Sequence, residues 1–141
     1  MKKIISSICL TLMLFSIVAC NQDKINNASV VIGESNKFNE KEVKSAIKCA
    51  KEEFLTYKGC TLKKIWYDEV TSNTYIETSS GHNSLNGVKA ENIIVLLSDF
   101  DVDSSGAAEG FEPNSTTSAW SWTLIRDSKS GKWRVVDRGE G

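Results

Sequence analysis

Phe38-Asn39-Glu40-Lys41-Glu42-Val43-Lys44-Ser45-Ala46-Ile47-Lys48-Cys49-Ala50-Lys51-Glu52-Glu53-Phe54-Leu55-Thr56-Tyr57 carries the strongest local signal in the chain. Asn39 can cap a helix while Glu42, three residues on, reaches back to the amide of the cap, the reciprocal pattern of a capping box. Phe38 before the cap and Val43 after it form a hydrophobic staple. Val43, Ala46, Ile47, Ala50, Phe54 and Tyr57 recur at helical spacing, and Lys41, Lys44, Lys48, Lys51 and Glu52 populate the other faces. The pattern predicts an amphipathic helix from Asn39 to Tyr57, with Gly59 as its C-terminal stop. One apolar stripe has to be buried, so the remaining chain must supply a face to bury it on.

Downstream the period changes from helical to alternating. Leu62, Ile65, Trp66, Tyr67 and Val70 mark a strand that does not alternate cleanly, which suggests a bulge. Thr71 to Gly87 is rich in Ser, Thr, Asn and Gly, long for a bare loop and roomy enough for a short second helix. Ile93 to Leu97 is a continuous β-prone run within Val88 to Val102, suited to a central strand covered on both faces. Asp99, Asp101 and Asp103 then share one side of that strand, with Phe100 and Val102 on the other. In Ser118 to Arg126, residues Trp120, Trp122 and Leu124 alternate with Ser121, Thr123 and Ile125. Asp127 to Gly131 is a turn, and Trp133, Val135 and Asp137 alternate with Lys132, Arg134 and Val136. That is a hairpin with an aromatic face. The expected fold is α+β: an N-terminal amphipathic helix packed on a curved antiparallel sheet of about four strands.

Upstream, Asn21 to Lys37 is rich in Asn, Ser and Lys and reads as a flexible tether, with a reach of roughly 20 to 25 Å. Before it, Lys2 and Lys3 precede an apolar run from Ile4 to Ile17, shorter than the roughly 20 residues of a spanning helix. The run ends in Ile17-Val18-Ala19-Cys20 and reads as a cleaved secretory leader. Those four residues resemble the bacterial lipobox. The resemblance implies cleavage after residue 19, a lipidated Cys20 as first mature residue, and an extracytoplasmic domain anchored to the bacterial cell membrane. The expected organisation is therefore residues 1–19 as signal peptide, 20–37 as lipidated Cys and tether, and 38–141 as one domain.

The whole chain has a formal charge of −1, and residues 20–141 carry 15 basic and 18 acidic side chains well mixed along the chain. Neither a nucleic-acid footprint nor a polybasic membrane patch is visible in that order. Cys9 leaves with the leader and lipid would occupy Cys20, so Cys49 and Cys60 remain as a disulfide or as two free thiols. A zinc site built from them and His82 matches no ligand spacing.

Candidate chemistry is sparse. Asp99, Asp101 and Asp103 could offer oxygens to Ca²⁺, but Ser104 and Gly110 stand where an EF-hand needs Gly and Glu. Tyr67 and Asp68, or Asp99, could support proton abstraction if burial raised the acid's pKa. Trp66, Trp120 and Trp122 could form an aromatic ligand surface, against the alternative that they fill the core. No serine nucleophile elbow, phosphate-cradling loop, His-Glu metal motif or cofactor fingerprint is present.

The closing hairpin, Arg126-Asp127-Ser128-Lys129-Ser130-Gly131-Lys132-Trp133-Arg134-Val135-Val136-Asp137, resembles the terminal strands of the cystatin-like and NTF2-like superfamily. Phe38 to Asp137 as a whole is similar to small lipoproteins of Firmicutes that carry such a domain of unknown function. Some members of that superfamily are isomerases or dehydratases with an acid in a conical pocket, and others only bind, so the resemblance transfers a fold and not an activity. The function expected is a lipid-anchored binding module for an unknown protein or small molecule, without an evident catalytic site. The alternatives are a pocket enzyme using an Asp and a surface inhibitor or protective protein against a secreted partner.

Overall fold

The computed structural model describes residues 22–79 and 83–140. The lipobox with Cys20, and His82, lie outside the described residues. The domain is α+β, as the hydrophobic periods require. In chain order it contains β1 (Ser29–Ile32), α1 (Glu40–Phe54), β2 (Cys60–Tyr67), α2 (Glu69–Thr78), β3 (Ile93–Val102), β4 (Ser115–Ile125) and β5 (Arg134–Gly139). The five strands form one sheet in the order β1-β2-β3-β4-β5.

The capping box forms as expected. Asn39 Oδ1 accepts from the Glu42 amide at 2.9 Å, and Glu42 Oε2 accepts from the Asn39 amide at 2.8 Å. Val43, Ala46, Ile47, Ala50 and Phe54 are buried against Leu62, Ile65, Tyr67, Ile94, Leu96, Phe100, Trp122 and Leu124 of the sheet. Phe38 and Trp133 close the same core. α1 ends at Phe54, a turn short of the expected Tyr57, and the chain from Leu55 to Tyr57 tightens into i→i+3 hydrogen bonds. Gly59 is not the cap of that helix. At φ +69 it turns the chain against the Asp103–Gly106 loop, where a Cβ would come within 2.4 Å of Asp103 Oδ1.

Three sequence expectations are corrected. Residues 20–37 are not all tether: Ile25 is buried in the main core, and β1 pairs with β2, Val30 opposite Ile65 and Ile32 opposite Tyr67. The β-branched run Val30-Val31-Ile32 finds its partner only after α1 has carried the chain back. The β1–β2 pair is therefore parallel, joined by the long crossover that parallel strands need. The sheet thus has five strands and one parallel edge, not four antiparallel ones. The first long strand also stops at Tyr67 rather than running to Val70. Asp68 caps α2 by accepting from the Thr71 amide at 2.8 Å and its hydroxyl at 2.6 Å, which leaves Val70 exposed on the helix.

That early stop shapes the middle of the sheet. β2 pairing with β3 ends at Trp66 opposite Leu97, leaving the start of β3 without a strand on that side. Buried backbone groups there still need partners. Ser72 Oγ of α2 accepts from the Val95 amide at 2.9 Å, and Lys37 Nζ donates to the Ile93 carbonyl at 3.2 Å. Behind the sheet, Leu85, Ile93 and Ile125 form a second, smaller apolar cluster with Ile76, Val88 and Val136. β3 is buried residue by residue from Ile93 to Ser98, as expected of a strand covered on both faces.

Asp99 sits at a double irregularity. Leu62 faces Phe100 and Lys64 faces Asp99, so Lys63 is an extra residue in β2. On the other side Ser98 faces Trp120 and Phe100 faces Thr117, so β4 places Ser118 and Ala119 opposite Asp99 alone. Two bulges abreast bend the sheet across one line. Ala119 takes φ +53 to make the second, and Asp99 Oδ1 accepts its amide at 2.9 Å.

Candidate functional site

The residues singled out for chemistry are each tied to local structure. Asp68 is exposed, and the Thr71 hydroxyl and amide hold its carboxyl below the usual carboxylate range. A base for proton abstraction needs the opposite shift. Its neighbour Tyr67 points the other way, into the core, edge-on to Phe38 with ring centroids 6.0 Å apart. Burial pushes the Tyr67 phenol up, Ser35 pulls against it, and its hydroxyl makes no hydrogen bond of regular geometry.

The three aspartates do not converge. Asp99 holds the bulge at Ala119; Asp101 accepts from Thr116 Oγ1 at 2.9 Å and faces Lys63 at 3.8 Å; Asp103 accepts from the Ser105 amide and hydroxyl. Among the described residues no group of three or more His, Cys, Asp or Glu is placed to hold a metal ion.

Cys49 and Cys60 are free thiols. Cys49 lies half-buried on the flank of α1 and donates to the Trp133 carbonyl at 3.3 Å, while Cys60 is buried at the start of β2 beside the Lys58 carbonyl. Burial pushes both thiols up, so neither is an activated nucleophile.

The tryptophans divide as alternation suggests. Trp122 is fully buried, its Nε1 donating to Ser98 Oγ at 2.9 Å, and Trp133 is buried with Nε1 on the Glu42 carbonyl at 3.2 Å. Trp122 is therefore core and not a ligand contact. Trp66 is half-buried beneath the Lys64 ammonium, 4.9 Å from its ring centre. Trp120 is half-buried at the end of an aromatic chain through Phe111, at 5.3 Å, and Phe100, at 5.9 Å. With Tyr57, Phe111 and Arg138 it lines a shallow cavity of about 490 Å³. Between α1 and the sheet, Phe54 and Tyr57 touch each other and both Phe100 and Trp122, so the space there is filled by aromatic core.

The feature with the most polar organisation was not singled out in the sequence. Arg126 follows β4, is 4 % exposed, and gives its donors to four residues in three segments. Nε reaches Asn92 Oδ1 at 3.3 Å; Nη1 reaches Glu42 Oε1 at 3.0 Å and the Lys129 carbonyl at 3.1 Å; Nη2 reaches the Glu91 carbonyl at 3.1 Å. Its guanidinium also lies over the Trp133 ring, 4.4 Å from the centre. Burial works against the Glu42 carboxylate, but the Asn39 amide and Arg126 outweigh it and hold Glu42 below the ordinary carboxylate range.

Beside this pair an open groove of about 720 Å³ runs between α1 and the β4–β5 turn. Lys41 and Lys48 line it from the helix, and Lys129 and Lys132 from the turn. Glu42 is neutralised by Arg126, which leaves Glu52 as the carboxylate of the lining facing those four lysines. The arrangement suits an anion. Only the lysine spacing on the predicted helix hinted at it, because in sequence order the lysines are interleaved with glutamates.

No curated protein and no solved structure matches the chain. Residues 11–139 match the family model described as a domain of unknown function, DUF4829. The match takes in every strand and helix of the fold, and the chain belongs to that family.

Proposed function

We propose that this chain is a lipid-anchored, extracytoplasmic binding module of cystatin-like or NTF2-like form, with no catalytic site. The observation that carries the reading is a contrast. Asp68, Asp99 and Asp103 are committed to a cap, a bulge and a turn, whereas the lysines around the α1 groove have no such employment. A surface with organised charge, and no activated acid, base or thiol among the described residues, is suited to holding a partner rather than transforming one. The lipid anchor rests on the lipobox resemblance at Cys20. Ile25, five residues further on, is already packed in the core, so at most about 18 Å of chain would separate the anchor from the domain. The domain would then sit on the bilayer instead of being lifted clear of it.

The test is incorporation of a labelled fatty acid during expression in a bacterium that processes lipoproteins. Label in the chain that disappears in Cys20→Ser, with protease accessibility from outside the cytoplasmic membrane, is the expected result. Unlabelled protein sinks the anchor, and turnover of a substrate abolished by Asp68→Asn sinks the non-catalytic reading.

A further inference from the structure

The formal charges are mixed along the sequence, but the fold separates them. Lys41, Lys44, Lys48 and Lys51 follow the spacing i, i+3, i+7, i+10, which at 3.6 residues per turn places them within an arc of about 80° on α1. The buried stripe of Val43, Ala46, Ile47, Ala50 and Phe54 is centred about 120° around the helix from them, so the row lies on the solvent side with Lys51 at its half-buried edge. Across the groove, the exposed Lys129 and Lys132 extend the same basic surface from the β4–β5 turn. Glu40 and Glu52 border the lysine row on α1, Glu40 paired with Lys44 at 2.6 Å and Glu52 exposed, while Glu42 is paired with Arg126, Glu53 with Arg138, and Asp127 of the turn with Arg134. Asp99 and Asp101 lie on the face of β3 turned away from α1, and Asp103 follows the strand beside Gly59.

We infer that the lysine ridge of α1 and the β4–β5 turn form a docking face for an anionic phospholipid bilayer, the surface to which the chain is tethered. The inference rests on the lipid-anchored reading and adds an orientation to it. Charge complementarity selects the occupant. At physiological salt the Debye length is about 8 Å, so a flat anionic surface against α1 is felt by the ridge and hardly by the acidic strand end behind the core. A lysine near such a surface strengthens association by about fivefold, so six act together even on a domain whose net charge is negative. Lys41 to Lys51 extend about 15 Å along α1, and with Lys129 and Lys132 across the groove they make a broad contact better matched to a bilayer than to a compact soluble anion.

Lysine acylation footprinting of the full chain tests this without a substitution. The chain is mixed with vesicles of phosphatidylcholine alone, or containing about one-third phosphatidylglycerol, at low and high salt. Each lysine is then read by mass spectrometry. On the anionic vesicles at low salt, Lys41, Lys44, Lys48, Lys51, Lys129 and Lys132 should react roughly threefold or more slowly, and recover at high salt. Lys63 and Lys64, on β2 and outside the ridge, serve as internal references and should not change. Equal rates at the ridge on both vesicle types would overturn the docking face even if the chain stays bound to both, which is the result expected of the anchor alone. Binding to anionic vesicles only, with the ridge protected, would support the face while removing the anchor. Binding to neither, or protection by soluble polyphosphate but not by vesicles, would overturn it. Lys41→Glu/Lys48→Glu should abolish the protection at Lys129 and Lys132 as well.

Discussion

Glu42 and Arg126 meet at 3.0 Å, eighty-four positions apart in the chain, and the contact binds the first turn of α1 to the end of β4. Glu42 serves two masters there, since its other oxygen completes the capping box at Asn39. The Arg126 side chain is 3 % exposed and that of Glu42 14 %, so removing the carboxylate leaves a buried cation with backbone partners but no counter-charge.

Glu42→Ala is therefore expected to destabilise the domain by about 3–5 kcal/mol, the range for breaking a buried pair from one side. Arg134→Ala, which breaks the exposed contact to Asp127, should change stability by less than about 1 kcal/mol. Urea unfolding of the two variants compares them directly, and equal losses would remove the distinction.

Acid should unfold the protein through its carboxylates. The folded-state pKa is depressed at Glu42 by Asn39 and Arg126 acting against burial, and at Asp68 and Asp103 by Thr71 and Ser105. A depressed carboxylate contributes stability that is present above its unfolded pKa and is lost as pH falls through the folded value. The unfolding midpoint should accordingly be flat near neutrality and fall from about pH 4–5 downward. In Glu42→Gln the fall should be shallower. An identical pH profile in wild type and variant would show that Glu42 takes no part.

Two glycines with positive φ make a controlled comparison. At Gly59 an added Cβ would meet Asp103 and Ser105 within 2.4 Å, whereas at Gly110, φ +86, nothing lies within 4 Å. Gly110→Ala should cost about 1 kcal/mol from backbone strain alone. Gly59→Ala adds a steric conflict and should cost about 2–4 kcal/mol. Thermal unfolding of both separates conformational from steric cost.

Ala119 offers the reverse substitution. Its φ of +53 is left-handed, a conformation that disfavours a Cβ, in a bulge secured by Asp99. Ala119→Gly should stabilise by up to about 1 kcal/mol, the relief exceeding the added freedom of the unfolded chain. Asp99→Ala should destabilise by about 1 kcal/mol through loss of the amide contact. A fall in stability for Ala119→Gly would contradict this account of the bulge.

The amphipathic helix, the covered central strand and the closing hairpin were legible because each buries an apolar face whose period shows in the residues. Val43 to Phe54, Ile93 to Leu97 and Trp122 with Leu124 behave as their spacing predicts. β1 was not legible, and α2 only as room for a short helix after Thr71, for opposite reasons. β1 has four residues with Val30 and Val31 substantially exposed, and is a strand only because β2 lies beside it. α2 buries only Ser72, so it carries almost no apolar stripe, and its signal was the Asp68–Thr71 cap. The role of Arg126 had little local sign, since only its Lys129 contact lies within the turn and Glu42, Glu91 and Asn92 are gathered around it by tertiary packing.

The position of β1 has a mechanical consequence. β1 and β5 are the opposite edges of the sheet, so tension applied between the chain ends must cross all five strands. β1 meets it first, through a four-residue parallel ladder, while β3 and β4 behind it are joined along ten and eleven residues. Under load the N-terminal edge would peel away as a short extensible lead, and the helix-backed remainder would stay shut.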